Sequence, residues 1–176
     1  MKTLAVAVTL FMLLVPCLVF AQDKGAPADT SWRIRAGWFD MGDADNGLGI
    51  GVDYKFRLWN QKWMAGIEWG DGEGEAAHPV AAVAGNSISL DVWDINFNWI
   101  GEVATEKYKW YYGAGIGWYD VRWSGDSDDS FGFQVLAGVD FAKNWSLDVR
   151  YVFGTDFNDA DIDGVRVSLG YAFGGK

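Results

Sequence analysis

Asp159-Ala160-Asp161-Ile162-Asp163-Gly164 is the segment whose residue types and spacing come nearest to a chemical site. Three carboxylates at alternate positions followed by a glycine match the opening D-x-D-x-D-G of a calcium loop, where oxygen ligands turn around one ion. The glutamate that would close the ligand set six residues after the glycine is missing, and Gly170 stands there. Asp159, Asp161 and Asp163 are thus a candidate Ca²⁺ site with an incomplete ligand set. Other carboxylates gather in the same way: Asp40, Asp43 and Asp45; Asp71, Glu73 and Glu75; Asp126, Asp128 and Asp129; and Asp156. These segments contain no Lys or Arg. The plain reading is a solvated surface that keeps loops soluble and apart. The sharper one is divalent-cation binding, by Ca²⁺ or Mg²⁺.

The one histidine, His78, precedes Pro79, with Ser87, Ser89 and Asp91 downstream. Acid–base or nucleophilic catalysis would pair such a histidine with a serine and a carboxylate. No His-x-Ser pair on a strand occurs here, so no catalytic activity and no cofactor are expected. The one cysteine, Cys17, lies just past an apolar N-terminal run. Lys2, the run Leu4 to Val15 and Val19-Phe20-Ala21 read as a secretory signal over residues 1–21. Leu14-Val15-Pro16-Cys17 fits a lipid-attachment motif poorly, because proline precedes the cysteine. A mature chain starting at Gln22 has no thiol for disulfides or metal. Losing Lys2 leaves 13 basic residues against 24 acidic, a net charge of −11. Nucleic acid is excluded as a partner, since phosphate binding needs a basic surface.

The elements that must position these groups are strands. Residues 22–31 form a short N-terminal segment after the signal, 32–173 one domain and 174–176 a tail. "LGIGVDYKFRL", Leu48 to Leu58, alternates with period 2: Leu48, Ile50, Val52, Tyr54, Phe56 and Leu58 against Gly49, Gly51, Asp53, Lys55 and Arg57. Eight segments share this pattern, opening at Trp32, Leu48, Trp63, Ile88, Tyr108, Phe131, Trp145 and Val165. The fourth changes phase, with Ile88, Leu90 and Val92 in one parity and Trp93, Ile95, Phe97 and Trp99 in the other. A β-bulge near Val92, or a strand beginning at Trp93, would restore its facing. Connections after segments two, four and six are short and the others longer, the rhythm of an up-and-down barrel. The expected fold class is all-β, an eight-stranded antiparallel transmembrane barrel.

The polar face decides which side is inside. It carries glycines with charges of both signs: Arg33, Arg35, Lys55, Arg57, Lys109, Arg150 and Arg166 against Asp53, Glu68, Asp94, Asp140 and Asp148. A soluble barrel with an apolar cavity would show a Lys-, Glu- and Thr-rich outer face instead. Paired charges suit a narrow packed interior, because an unpaired buried charge costs several kcal/mol. The apolar face then meets lipid. Its aromatics form two belts, Trp63, Tyr108, Trp110, Trp145, Tyr171 and Phe173 toward the short turns, and Trp38, Trp69, Trp118 and Phe131 toward the loops. Strands of about 9–11 residues suit a tilted membrane crossing.

From Trp32 to Phe173 the chain resembles the small OmpA/OmpX-type outer-membrane barrels. The final "VRVSLGYAF" is similar to the C-terminal signal read by the barrel assembly machinery, although Gly174-Gly175-Lys176 follows the aromatic. The resemblance implies a Gram-negative outer membrane, short turns and termini in the periplasm, and lipid and lipopolysaccharide as partners; it leaves the oligomeric state open. The expected role is structural, or surface interaction through the acidic loops. Some barrels of this size remodel lipid A, and His78 is the residue on which that alternative rests. A minor pore is a third reading, resting on Gly113, Gly115 and Gly117.

Overall fold

The computed structural model describes residues 30–41, 44–74, 88–123, 126–155 and 163–173. The strands are β1 (Ser31–Met41), β2 (Ala44–Leu58), β3 (Gln61–Gly74), β4 (Ile88–Ala104), β5 (Lys109–Trp123), β6 (Asp126–Asp140), β7 (Trp145–Phe153) and β8 (Gly164–Phe173). Each pairs antiparallel with its chain neighbours, and β8 returns to β1, where Trp32 faces Phe173 and Trp38 faces Val167. The barrel is closed, so no strand edge is left to meet hydrocarbon along the paired wall.

Two rims define the molecule. The near rim is where β1 begins and β8 ends; the far rim carries the β1–β2, β3–β4, β5–β6 and β7–β8 connections. At the near rim β2 and β3 join through Trp59 and Asn60 alone, both with positive φ (50° and 63°). Two left-handed residues in a two-residue turn match the right-handed twist of the flanking strands. Asparagine accepts that conformation readily; tryptophan does not.

Three expectations need correction. β4 runs without a bulge from Ile88 to Ala104, in unbroken register with β3 and β5. Leu90 and Val92 share the inward parity of Asp94, so apolar residues here face the interior, not lipid. The register shift the structure does contain lies between Phe39 and Met41, against β2. Five strands are also longer than the 9–11 residues that β1, β7 and β8 have: β3 has 14, β2, β5 and β6 each have 15, and β4 has 17. Consequently the β1–β2 and β5–β6 connections are two residues each, 42–43 and 124–125. Asp45, Asp126, Asp128 and Asp129 belong to strands that continue beyond the apolar wall.

The wall is inverted relative to a water-soluble protein. Leu48 is 70% exposed and Phe131 72%, whereas Arg33, Arg35 and Arg150 are each 1% exposed. β7 alternates without exception, from exposed Trp145 to buried Ser146 and onward to exposed Phe153. A continuous apolar exterior of this kind is a liability in water and the required solvent contact in lipid. Tyr54 and Phe56 also face outward, yet neighbouring rings cover them. Trp32, Tyr54, Phe56, Phe97 and Trp63 form a run of contacts with centroids 4.6 to 6.1 Å apart.

Candidate functional site

The interior is built in three layers along the barrel. Asp53 is the hub of the middle layer. Arg33 donates to its Oδ2 from Nη2 at 2.6 Å and Nε at 2.9 Å, Arg35 lies 3.2 Å away through Nε, and Arg150 Nη2 reaches it at 3.0 Å. Asp148 takes Arg33 at 3.1 Å, Arg150 at 3.1 Å and the Ser168 hydroxyl at 3.0 Å. Glu68 bridges Arg35 at 2.5 Å and Arg166 at 2.9 Å, and Arg166 also pairs with Asp94. Four arginines therefore meet four carboxylates, and the layer is neutral. Amides extend it: Asn96 donates to Asp94 at 2.5 Å, Asn98 to Asn96 at 3.0 Å, and Gln134 to Asn98 at 2.7 Å. Sequence reasoning did not single out these three amides; their parity with Asp94 was the available signal.

Apolar layers close both sides of this network. Phe39, Val92, Tyr119, Val121 and Val152, with Leu90, pack on the far side. Met64, Ile100, Tyr111 and Leu136 pack on the near side. Glycines on facing strands make room. The Phe39 ring lies against Gly47, Gly49 and Gly70, and the Tyr111 ring against Gly138, where any Cβ would collide with it. The run Gly113, Gly115 and Gly117 is covered by Ile100, Asn98 and Tyr119. The void on which the pore reading rested is filled by side chains.

Of the twelve charges placed inside by parity, eight form the neutral layer. Lys55 and Asp140 stand 3.9 Å apart nearer the rim, with Lys55 Nζ 4.1 Å from the Tyr111 ring centroid. Lys109 is part-exposed and pairs with Glu102 at 2.9 Å, and Lys62 joins the same carboxylate. Arg57 is exposed and donates to Asn60 at 3.5 Å. Arg57 and Lys109 thus lie at the rim, because inward parity continues past the filled length of the barrel. The belt residues lie on the outer wall, and Trp145 meets Tyr171 edge-on at 5.2 Å.

The far rim is acidic. Asp71 stands directly opposite Asp91, and Asp120 opposite Asp129. Like charges in facing positions destabilise a strand pair unless a cation lies between them. Arg122 is the one cation among the described residues of this rim, and it is spent on Asp120 at 2.6 Å. Asp129 accepts the Trp118 indole N–H at 2.9 Å.

Asp163 holds the backbone at the end of β7. Its Oδ2 accepts the Gly154 N–H at 3.0 Å, and its Oδ1 accepts the Thr155 N–H at 3.0 Å and hydroxyl at 2.8 Å. The carboxylate clasps the base of the β7–β8 connection. Asp159 and Asp161 lie outside the described residues, as do His78, Asp43, Glu75 and Asp156. Among the described residues no group of three or more His, Cys, Asp or Glu is arranged to hold a metal.

A closed antiparallel barrel with a lipid-suited wall and a sealed ionic core defines a small transmembrane β-barrel. Residues 7–173 match the outer membrane protein beta-barrel domain, and the chain belongs to that family. Solved structures with a similar fold include Neisserial surface protein A (NspA), at 17% identity over 81% of this chain and 94% of that one, TM-score 0.57. The outer membrane protein OprG from Pseudomonas aeruginosa is 12% identical over 86% and 99%, TM-score 0.54. The outer membrane enzyme PagL is 17% identical over 81% and 97%, TM-score 0.53. These are likenesses of fold. No curated protein matches the sequence.

Proposed function

We propose that this protein is a non-catalytic barrel of a Gram-negative outer membrane, exported by its N-terminal signal. Its near rim would face the periplasm, and its acidic far rim would associate with cationic counterparts at the cell surface. The filled, neutral interior leaves the ends of the barrel as the places where anything can be recognised. The observation that carries the reading is the pair of opposed carboxylates Asp71 and Asp91, one pleat beyond the Trp69–Trp93 step of the wall. A counterpart that brings positive charge there relieves a repulsion built into the sheet. Divalent cations bridging to lipopolysaccharide phosphates supply such charge, and so does a lysine-rich segment of another protein.

The test is the binding of a fluorescent oligolysine, and of Mg²⁺, to vesicle-embedded wild type and to Asp71→Asn/Asp91→Asn. Binding that weakens in the variant and with added salt supports the proposal. Equal binding by both proteins would remove its basis. The fold shared with PagL supports a second reading, lipid A modification through His78. Lipid A mass spectra that change on overexpression of wild type but not of His78→Ala would favour it.

A further inference from the structure

The central network leaves four buried polar atoms with no protein partner among the described residues: Arg35 Nη2, Arg150 Nη1, Tyr119 Oη and Gln134 Oε1. All four side chains are at most 1% exposed. Register places Gln134, Tyr119 and Arg150 at neighbouring inward positions of β6, β5 and β7, while Arg35 Nη2 lies over Gly51 on β2. Gln134 faces Gly115 across β5 and β6, and Asn98, its amide partner, faces Gly115 from the other side. Tyr119 lies back over Gly117, the next inward position on β5, where a Cβ would strike its hydroxyl. Arg150 stands opposite Leu136, one inward position from Gln134. Arg150 and Arg35 meet on Asp53.

Leaving a buried donor or acceptor unmet is costly, because its bonds to water are lost on folding and not replaced. Two guanidinium N–H groups and a phenol could hold an anion, but the layer is already neutral, with Arg33, Arg35, Arg150 and Arg166 matched by Asp53, Glu68, Asp94 and Asp148. An added negative charge would itself be unpaired in a low-dielectric interior. Gln134 Oε1, an acceptor, would also be turned toward it. Water meets every requirement: it accepts from Arg35 and Arg150, donates to Gln134, and exchanges either role with Tyr119. Buried waters typically make about three such bonds.

We propose that the barrel interior is hydrated, with ordered water molecules bound at Arg35, Arg150, Tyr119 and Gln134. The Phe39–Val92–Val121–Val152 and Met64–Ile100–Tyr111–Leu136 layers cap it on both sides. The water is therefore a component of the folded barrel and not part of a conduit.

The test pairs a high-resolution crystal structure of the wild-type barrel, grown in bromide, with urea unfolding of Tyr119→Phe and Gln134→Met in lipid vesicles. The expected result is solvent density within hydrogen-bonding distance of at least two of the four atoms and no anomalous bromide peak. Tyr119→Phe should then raise the unfolding equilibrium constant about fivefold, because it loses only a bond to water, whereas Gln134→Met also loses its bond to Asn98 and should raise it further. A dry site, with Tyr119→Phe as stable as wild type or more so, would overturn the proposal, since deleting an unmet hydroxyl relieves a penalty. A bromide peak at the four atoms would overturn it in favour of an anion site. The crystal arm needs only wild-type protein, so a variant that fails to fold leaves the question decidable.

Discussion

Asp53 and Arg150 are 97 residues apart in the chain and 3.0 Å apart across the barrel. The contact cannot form until β1 to β8 have closed, so it reports on the completed fold and not on any single hairpin. Arg33 and Arg35 converge on the same carboxylate. Asp53→Asn should therefore take a shared carboxylate from three guanidinium groups, leaving Asp148 and Glu68 to serve them in a layer with a net positive charge. The expected loss is about 3–5 kcal/mol, the usual consequence of removing one partner from a buried ionic network. Urea unfolding in lipid vesicles, followed by tryptophan emission, measures it. Asp53→Asn combined with Arg150→Met restores neutrality and should cost less than the two single changes added together.

The glycines under Phe39 give a steric prediction of opposite character. Gly70→Ala places a methyl group inside the Phe39 ring. Overpacking of this kind costs about 1–3 kcal/mol. Shortening the intruder should recover it, so Gly70→Ala/Phe39→Leu is expected to unfold at higher urea than Gly70→Ala alone. If the double variant is no better than the single, the ring and the glycine are not in contact.

Ile34 probes the outer wall. It lies 54% exposed between Trp32 and Trp38, in a cross-strand row with Val52, Ile67 and Ile95. In a bilayer this row is the hydrocarbon mid-depth, and Ile34→Arg should cost about 2–4 kcal/mol. Heat-modifiable gel mobility after refolding into vesicles would show a smaller folded fraction than wild type. The same arginine on a water-facing strand would change stability little, so an unchanged folded fraction would argue against a lipid-facing wall.

How much of this was legible depends on what each residue had to specify. Period-2 alternation at Leu48 to Leu58 was enough to place Asp53 and Arg33 on one face, because side-chain direction is local. Which arginine meets which carboxylate was not legible, since Arg150 reaches Asp53 only through barrel closure. The change of phase at Leu90 and Val92 is real, and the bulge expected there is absent because apolar residues also pack inside the barrel. The interior is layered and needs apolar caps beside its charges, and the parity of Asp94 already set these two residues inward. The length of β6 was hidden for another reason. Asp126 to Ser130 has no apolar alternation, and its backbone pairing with Tyr119 to Trp123 is what makes it a strand. Asp163 shows the reverse: the D-x-D-x-D-G pattern is visible in the chain, whereas the use of its carboxylate on Gly154 and Thr155 is not.

Asp163 consequently supplies a prediction that separates a clasp from a metal ligand. Its oxygens accept two backbone N–H groups and one hydroxyl, at 2.8 to 3.0 Å. Gly154 sits at φ +76°, a conformation that the clasp helps to hold at the exit of β7. Asp163→Ala removes all three acceptor contacts and should cost about 1–2 kcal/mol, in the range of a lost helix or turn cap. Hydrogen exchange at the Gly154 and Thr155 amides should accelerate about tenfold while amides in the middle of β7 keep their protection. The acceleration should be the same in chelator and in millimolar Ca²⁺, because the acceptor geometry is met by the protein's own donors. Exchange at Gly154 that slows on adding Ca²⁺ to wild type, and not to Asp163→Ala, would return this carboxylate to the role its sequence motif suggests.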